Sequence, residues 1–255
     1  MIRELRFDAL TVRVGRDVEE MAHDAAQAAA AAIQGAIAAR GEANVMLATG
    51  NSQLLFLGEL VQIPGLAWEH VRAFHMDEYV GLAPSHSASF QRYMRERVAA
   101  QVPFQAFHYL AGDAADPEQE ARRYESLLRA HPLDLCCAGI GENGHLAFND
   151  PPVADFDDPR DVKIVALEPE SRRQQVGEGH FASIDAVPTH AITVTIPALL
   201  RAARVLVIVP EARKARPVHD ALYGPITTAC PASTLRRQAN ATLYLDPESS
   251  ALLES

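Results

Sequence analysis

"LDLCCAGIGENGHLAFNDPP", Leu133 to Pro152, joins an uninterrupted apolar run to a segment that, from Gly139 on, holds three glycines, two asparagines, two acids and one histidine. A short apolar run closed by glycine has the character of a strand buried on both faces, as in a parallel sheet. Six further runs share it: "NVMLAT" (44–49), "HVRAFHM" (70–76), "VKIVAL" (162–167), "AITVTI" (191–196), "RVLVIVP" (204–210) and "ATLYLD" (241–246). Helical segments such as "HSASFQRYMRERVAAQV" and "PEQEARRYESLLRAH" separate most of them. The alternation predicts an α/β, doubly wound sheet of about seven mostly parallel strands. No Gly/Ser/Pro linker, composition shift or internal repeat divides the chain, so residues 1–255 are expected to be a single domain.

The 255 residues are enough for a full-sized core, and 48% hydrophobic with 22% charged residues is the composition of a folded globular chain. A net charge of −10 without a dense Lys/Arg cluster argues against nucleic-acid binding, so an anionic ligand is expected to be small and locally held. Cys136, Cys137 and Cys230 form neither a disulfide framework nor a metal-ligand spacing. The opening "MIRELRFDAL" lacks the apolar region of a secretory signal, which points to the cytoplasm. Alanine-rich "AHDAAQAAAAAIQGAIAAR" is interrupted by Asp24, Gln27, Gln34 and Gly35, and fits a soluble helix on a sheet better than a membrane span.

Ligands of open α/β sheets sit beyond the carboxyl ends of the strands, so the segments after each strand carry the functional reading. "ATGNSQ" offers the backbone N–H groups of Gly50, Asn51 and Ser52 and a helix start as an anion cradle; a plain turn capped by Ser52 fits the same residues. "HMDEYVGL" delivers Asp77 and Glu78 to a strand end, where neighbours point opposite ways and one carboxylate faces the crevice. Such a group is either a general base or part of a solvated acidic loop. In the opening stretch Gly139, Gly141 and Gly144 permit a tight turn, and His145 has the one side chain there that titrates near neutrality. Asn143 and Asp150 are close enough in sequence to orient the imidazole. The spacing matches neither the dinucleotide G-x-G-x-x-G pattern nor a Walker loop.

Together with "VPTHAITVTIPALL" and "RKARPVHDALYGPITTACPAS", these segments resemble the glucosamine-6-phosphate deaminase (isomerase) family in order and across nearly the whole chain. The resemblance implies a modified Rossmann-like sheet and conversion of glucosamine 6-phosphate and water to fructose 6-phosphate and ammonia. It makes Asp77 the base that moves a proton between C2 and C1 of the open-chain sugar, and His145 the group that opens the ring, assisted by Asn143 and Asp150. It places substrate and phosphate contacts at Thr49, Gly50, Asn51, Ser52, Gly144, His180 and Lys214, and requires no metal or organic cofactor. The implied partner is a small amino sugar phosphate, with no nucleic acid and no membrane; self-association into a homo-oligomer is left open.

The chain also departs from that family. Asp150 stands for the usual Glu, so direct contact with His145 is expected to need a local shift or a water. "ATGNSQ" differs from the usual phosphate loop, and His180 stands about where an Arg is normal. "PPVADFDDPRDVKIV" keeps only Lys163 near the place of a known allosteric site, so that regulation is not expected. Two other readings share the fold. One is a 6-phosphogluconolactonase-like hydrolase, whose usual "DER" is "DEY" here; the other is a sugar-phosphate sensor, for which neither a helix-turn-helix nor a basic face is present.

Overall fold

The chain begins with a hairpin, β1 (Arg3–Phe7) and β2 (Leu10–Val14), turned at Asp8 with φ 52°. The computed structural model describes residues 2–177 and 179–253. Then follow α1 (Val18–Arg40), β3 (Ala43–Leu47), α2 (Leu54–Gln62), β4 (Val71–His75), β5 (Asp77–Tyr79), α3 (Phe90–Met94), β6 (Ala106–His108), α4 (Pro117–Ala130) and β7 (Leu135–Ala138). The remainder is β8 (Val162–Ala166), α5 (Pro169–Gly177), β9 (His190–Val194), α6 (Ile196–Leu200), β10 (Arg204–Val209), α7 (Ala215–Tyr223) and β11 (Ala241–Leu245).

The main sheet has eight strands in the order β1-β2-β11-β10-β7-β3-β4-β6. All but β1 run parallel. The strands β3 and β7 are fully buried, as their continuous apolar sequences require. After β3 the chain builds outward through β4 and β6, and after β7 in the other direction through β10 and β11, so the topological switch lies between β3 and β7.

One face of the sheet is covered by α1 and α2. The buried side of α1 is nearly all alanine, including Ala22, Ala25, Ala26, Ala29 and Ala30, which lets the helix backbone approach the strands closely. Its N-terminus is fixed by Asp17, which accepts the Glu20 N–H at 2.7 Å, and Gly41 ends it at φ 82°. The opposite face packs Tyr124 and Leu128 of α4, Leu199 of α6 and Val218 of α7 against Cys136, Val205, Val207 and Leu243. No described helix is long and apolar enough to cross a membrane.

The doubly wound class is as expected, but two of the expected strands lie elsewhere. Residues 162–167 and 191–196 supply β8 and β9 of a separate antiparallel sheet, ordered β5-β9-β8. In β8, Lys163 and Ile164 are half-buried and Ala166 is exposed, the pattern of a sheet with one open face. The main sheet reaches its number instead through β1, β2 and β6.

Candidate active site

The small sheet matters because β4 runs straight into it. Asp77 opens β5 one residue after Met76, whose carbonyl accepts the Val194 N–H at 2.8 Å, and pairs in register with Thr193 of β9. The end of β4 is locked from behind. The Tyr124 hydroxyl donates to the His75 carbonyl at 2.8 Å and accepts the His75 N–H at 3.0 Å. The buried His75 ring accepts the Leu110 N–H at Nε2, 2.9 Å, and burial depresses its pKa to about 3, so it is neutral.

Asp77 and Glu78 are both buried, which removes the solvated-loop reading, and they face opposite ways. Glu78 points away from the cleft and accepts from Ser89 Oγ and Gln91 N at 2.8 Å, Tyr79 N at 2.9 Å and Phe90 N at 3.2 Å. It is the anchor for the start of α3. Asp77 lines the cleft instead. Burial, reinforced by the nearby charge of Glu78, pushes its carboxyl well above the usual range, which makes the ionised form a stronger base.

The loop after β7 supplies the imidazole. Asn143 Nδ2 donates to Asp150 Oδ1 at 2.8 Å, which turns Asn143 Oδ1 toward His145. That oxygen lies 3.1 Å from the His145 N–H and 2.8 Å from Nδ1. Nδ1 is also 2.9 Å from Asp150 Oδ1. Two acceptors at Nδ1 place the ring proton there and leave Nε2 with its lone pair. Burial acts to raise the pKa of Asp150, but the hydrogen bond and charge of His145, with the bonds from Asn143 and Ser171, outweigh it and hold the carboxyl below the usual range. The contact with His145 is direct: the shorter side chain needs no water to bridge it.

Two glycines shape this loop. A Cβ on Gly141 would lie 2.2 Å from ring atoms of His145, so the imidazole rests directly on its backbone. Gly144, at φ 81°, turns the chain, and a Cβ there would meet Cys230 Sγ at 2.8 Å. Gly144 is thus a turn residue packed against Cys230 and does not line the cleft.

The cleft brings together Thr49, Gly50, Asn51, Ser52, Asp77, His145, His180 and Lys214, as expected, with Asn143 and Asp150 behind the imidazole. The part of the cleft at Gly50 and Lys214 is built from two loops. After β3, Gly50 at φ 108° leads into a 3-10 turn at Asn51–Gln53, whose first N–H groups have no partner within the turn. Ser52 forms no side-chain cap there, because the turn starts at Asn51 rather than after Ser52. After β10, a 3-10 turn at Ala212–Lys214 brings the buried Lys214 to the same cleft. Among the described residues no group of three His, Cys, Asp or Glu side chains is arranged to hold a metal ion.

Other residues of the site carry no motif. Gln174 and Gln175 of α5 line the cleft, and Ser171 of α5 donates to Asp150 Oδ1 at 2.5 Å. Thr193 accepts the Phe148 N–H at 3.1 Å, and Asn149 Nδ2 donates to the Val194 carbonyl at 2.9 Å. Polar residues on a strand of one sheet that meet a loop leaving the other give no sequence signal beyond a threonine where valine is the common choice.

A shielded carboxylate and an anchored imidazole, set at the carboxyl rim and switch point of a doubly wound sheet, are groups able to carry acid–base chemistry on a small polar ligand. Residues 16–244 match the family described as glucosamine-6-phosphate isomerases/6-phosphogluconolactonase, and the chain belongs to it. It is 37% identical to a glucosamine-6-phosphate deaminase of Exiguobacterium sibiricum over 207 residues, 81% of this chain and 80% of the relative. A second, of Bacillus cytotoxicus, is 34% identical over 235 residues, 92% and 87% of the two chains. Among solved structures, a monomeric glucosamine-6-phosphate deaminase of the NagB superfamily superposes with a TM-score of 0.85 at 30% identity, covering 94% of this chain and 99% of that one. The 6-phosphogluconolactonase of Trypanosoma brucei has a TM-score of 0.76 at 17% identity, covering 99% and 100%, and shares the fold.

Proposed function

We propose that this chain converts glucosamine 6-phosphate and water to fructose 6-phosphate and ammonia by an aldose–ketose isomerisation coupled to loss of the 2-amino group. The observation that carries the reading is the pairing, in one cleft, of the buried Asp77 carboxylate with an imidazole held through Nδ1 by Asn143 and Asp150.

The roles follow from that geometry. His145, with Nε2 unprotonated, takes the proton of the anomeric hydroxyl and hands it to the ring oxygen as the C1–O5 bond breaks, and the pyranose opens. Asp77 removes the proton from C2 of the open chain and returns it to C1, a transfer between adjacent atoms that one carboxylate spans. The imine left at C2 is hydrolysed by water, releasing ammonia and the ketose. Lys214 and the N–H groups of Gly50, Asn51 and Ser52 hold the phosphate, with His180 beside them. Asn143 and Asp150 fix the tautomer of His145. Gly144 shapes the loop and leaves substrate contact to the residues around it.

The cleft draws on residues from Ala48 to Lys214, so the reading treats 1–255 as one functional unit. Every group it names comes from one chain, and it leaves a homo-oligomer open. It places the chain in the cytoplasm with its phosphorylated substrate, apart from membranes and nucleic acid. The test is ammonia release from glucosamine 6-phosphate and glucosamine, beside hydrolysis of 6-phosphogluconolactone. Ammonia from the phosphate alone supports the reading; lactone hydrolysis without ammonia overturns it.

A further inference from the structure

Resting on the reaction just described, the role of one residue behind the cleft wall follows from its contacts. Ser171 is 2% exposed and sits in the first turn of α5. Its Oγ lies 2.5 Å from Asp150 Oδ1 and 3.5 Å from His145 Nδ1. A hydroxyl has one proton to give. Nδ1 already carries its own, so the Ser171 proton goes to the carboxylate, and 2.5 Å is the length of a charge-assisted O–H···O⁻ bond.

The carboxylate depends on that bond more than usual. Asp150 is fully buried, and its Oδ2 has no hydrogen-bond partner among the described residues. All of its contacts fall on Oδ1, from Asn143 Nδ2, His145 Nδ1 and Ser171 Oγ. An ionised oxygen pair with one bare member is costly to bury, so each donor on the other member counts. The same helix carries Gln174 and Gln175, a turn further on, into the cleft wall.

We propose that Ser171 is a positioning residue for the acid–base group: its hydroxyl holds the short Asp150 carboxylate at the imidazole of His145 and couples that pair to α5, the helix that walls the cleft. The bond also tempers the carboxylate. A carboxylate that shares its charge with a hydroxyl attracts the imidazole proton less, so loss of the hydroxyl strengthens its hold on that proton. The other titratable groups that share the cleft with the imidazole are Asp77, Lys214 and His180, while Glu142, on the same loop, is paired with Arg213 at 3.1 Å. None of them touches Asp150 Oδ1, so removing Ser171 is expected to act through Asp150.

The test reads the His145 ring by nitrogen NMR in the ligand-free protein, as a function of pH, beside steady-state kinetics. In Ser171→Ala the ring is expected to titrate about one pH unit higher, and kcat to fall about tenfold with KM little changed. Ser171→Thr, which keeps the hydroxyl, restores both. In an Asp150→Asn background, Ser171→Ala has no further effect on the titration. Should the alanine variant not fold, Ser171→Cys keeps the volume with a weak donor and gives the same comparison. A folded variant whose titration and kcat match the parent chain within twofold overturns the proposal. Because the titration needs no substrate, a shifted ring without ammonia release in any form would refute the reaction and leave the role of Ser171 standing.

Discussion

Asp77 and Thr193 are register partners across two antiparallel strands, and Thr193 Oγ1 accepts the N–H of Phe148 at 3.1 Å, three residues beyond His145. One strand of the small sheet therefore positions both halves of the site: Asp77 through the β5–β9 ladder, and the histidine loop through Thr193 and, by way of Asn149, Val194. Replacing Thr193 by Val keeps shape and removes the acceptor, leaving a buried N–H unpaired at a cost of about 1–3 kcal/mol. Thermal unfolding of Thr193→Val should show that loss together with reduced kcat, while Thr193→Ser retains most of both.

Gly141 makes a sharper prediction. Any side chain there collides with the imidazole, since a Cβ would lie 2.2 Å from Nε2. The ring is held by two acceptors at Nδ1, so it is forced off the position that they define. Gly141→Ala should lower kcat by about 10²-fold or more, as expected when a general acid–base group is misplaced, with a melting temperature near that of the parent chain.

How far these relationships were legible in the sequence depended on the kind of signal. The strands β3, β7, β10 and β11 are continuous apolar runs, and the residues that follow β3, β4 and β7 gave the cradle, the acid and the histidine. Burial on both faces leaves that mark. The runs that became β8 and β9 carry the same composition, and only pairing partners, fixed by tertiary contacts, distinguish a second sheet from a continuation of the first. "RELRF" and "LTVRV" alternate apolar with polar residues, a two-residue strand period that a search for continuous apolar runs passes over. Ser171 and Thr193 had no signal, because a hydroxyl buried against a loop is defined by its partner and not by its neighbours in sequence.

Asp77 links the site to stability. Its carboxyl titrates well above the usual range in the fold, through burial and the charge of Glu78, so the folded state holds the proton more tightly than the unfolded chain. The stabilisation is fully present below the ordinary carboxylate pKa and is lost as pH rises through the raised value. Asp77→Asn does not titrate there. Denaturant unfolding of the two proteins should show the variant gaining on the parent chain as pH rises from about 4 to 7. A parent chain that gains on the variant over that window would contradict the buried-acid account.

Lys214 is buried and lines the cleft, where the proposed function gives it the phosphate. Lys214→Met keeps the stem and deletes the charge, so KM for glucosamine 6-phosphate should rise about 10- to 100-fold, the scale of a lost charged hydrogen bond. Any reaction with unphosphorylated glucosamine should be unaffected. Steady-state kinetics on the two sugars decide it: equal effects on both would place the phosphate elsewhere.

The most direct measurement is turnover of glucosamine 6-phosphate in deuterated water, with ammonia quantified and the fructose 6-phosphate read by NMR. The account predicts one ammonia per ketose, with the hydrogen newly placed at C1 of the product divided between the C2 hydrogen that Asp77 carries over and solvent deuterium. In Asp77→Asn, ketose and C1 label should both fall by about 10²- to 10⁴-fold, the usual contribution of a general base. Ammonia formed at the parent rate by folded Asp77→Asn, or no ketose from the parent chain, would contradict it.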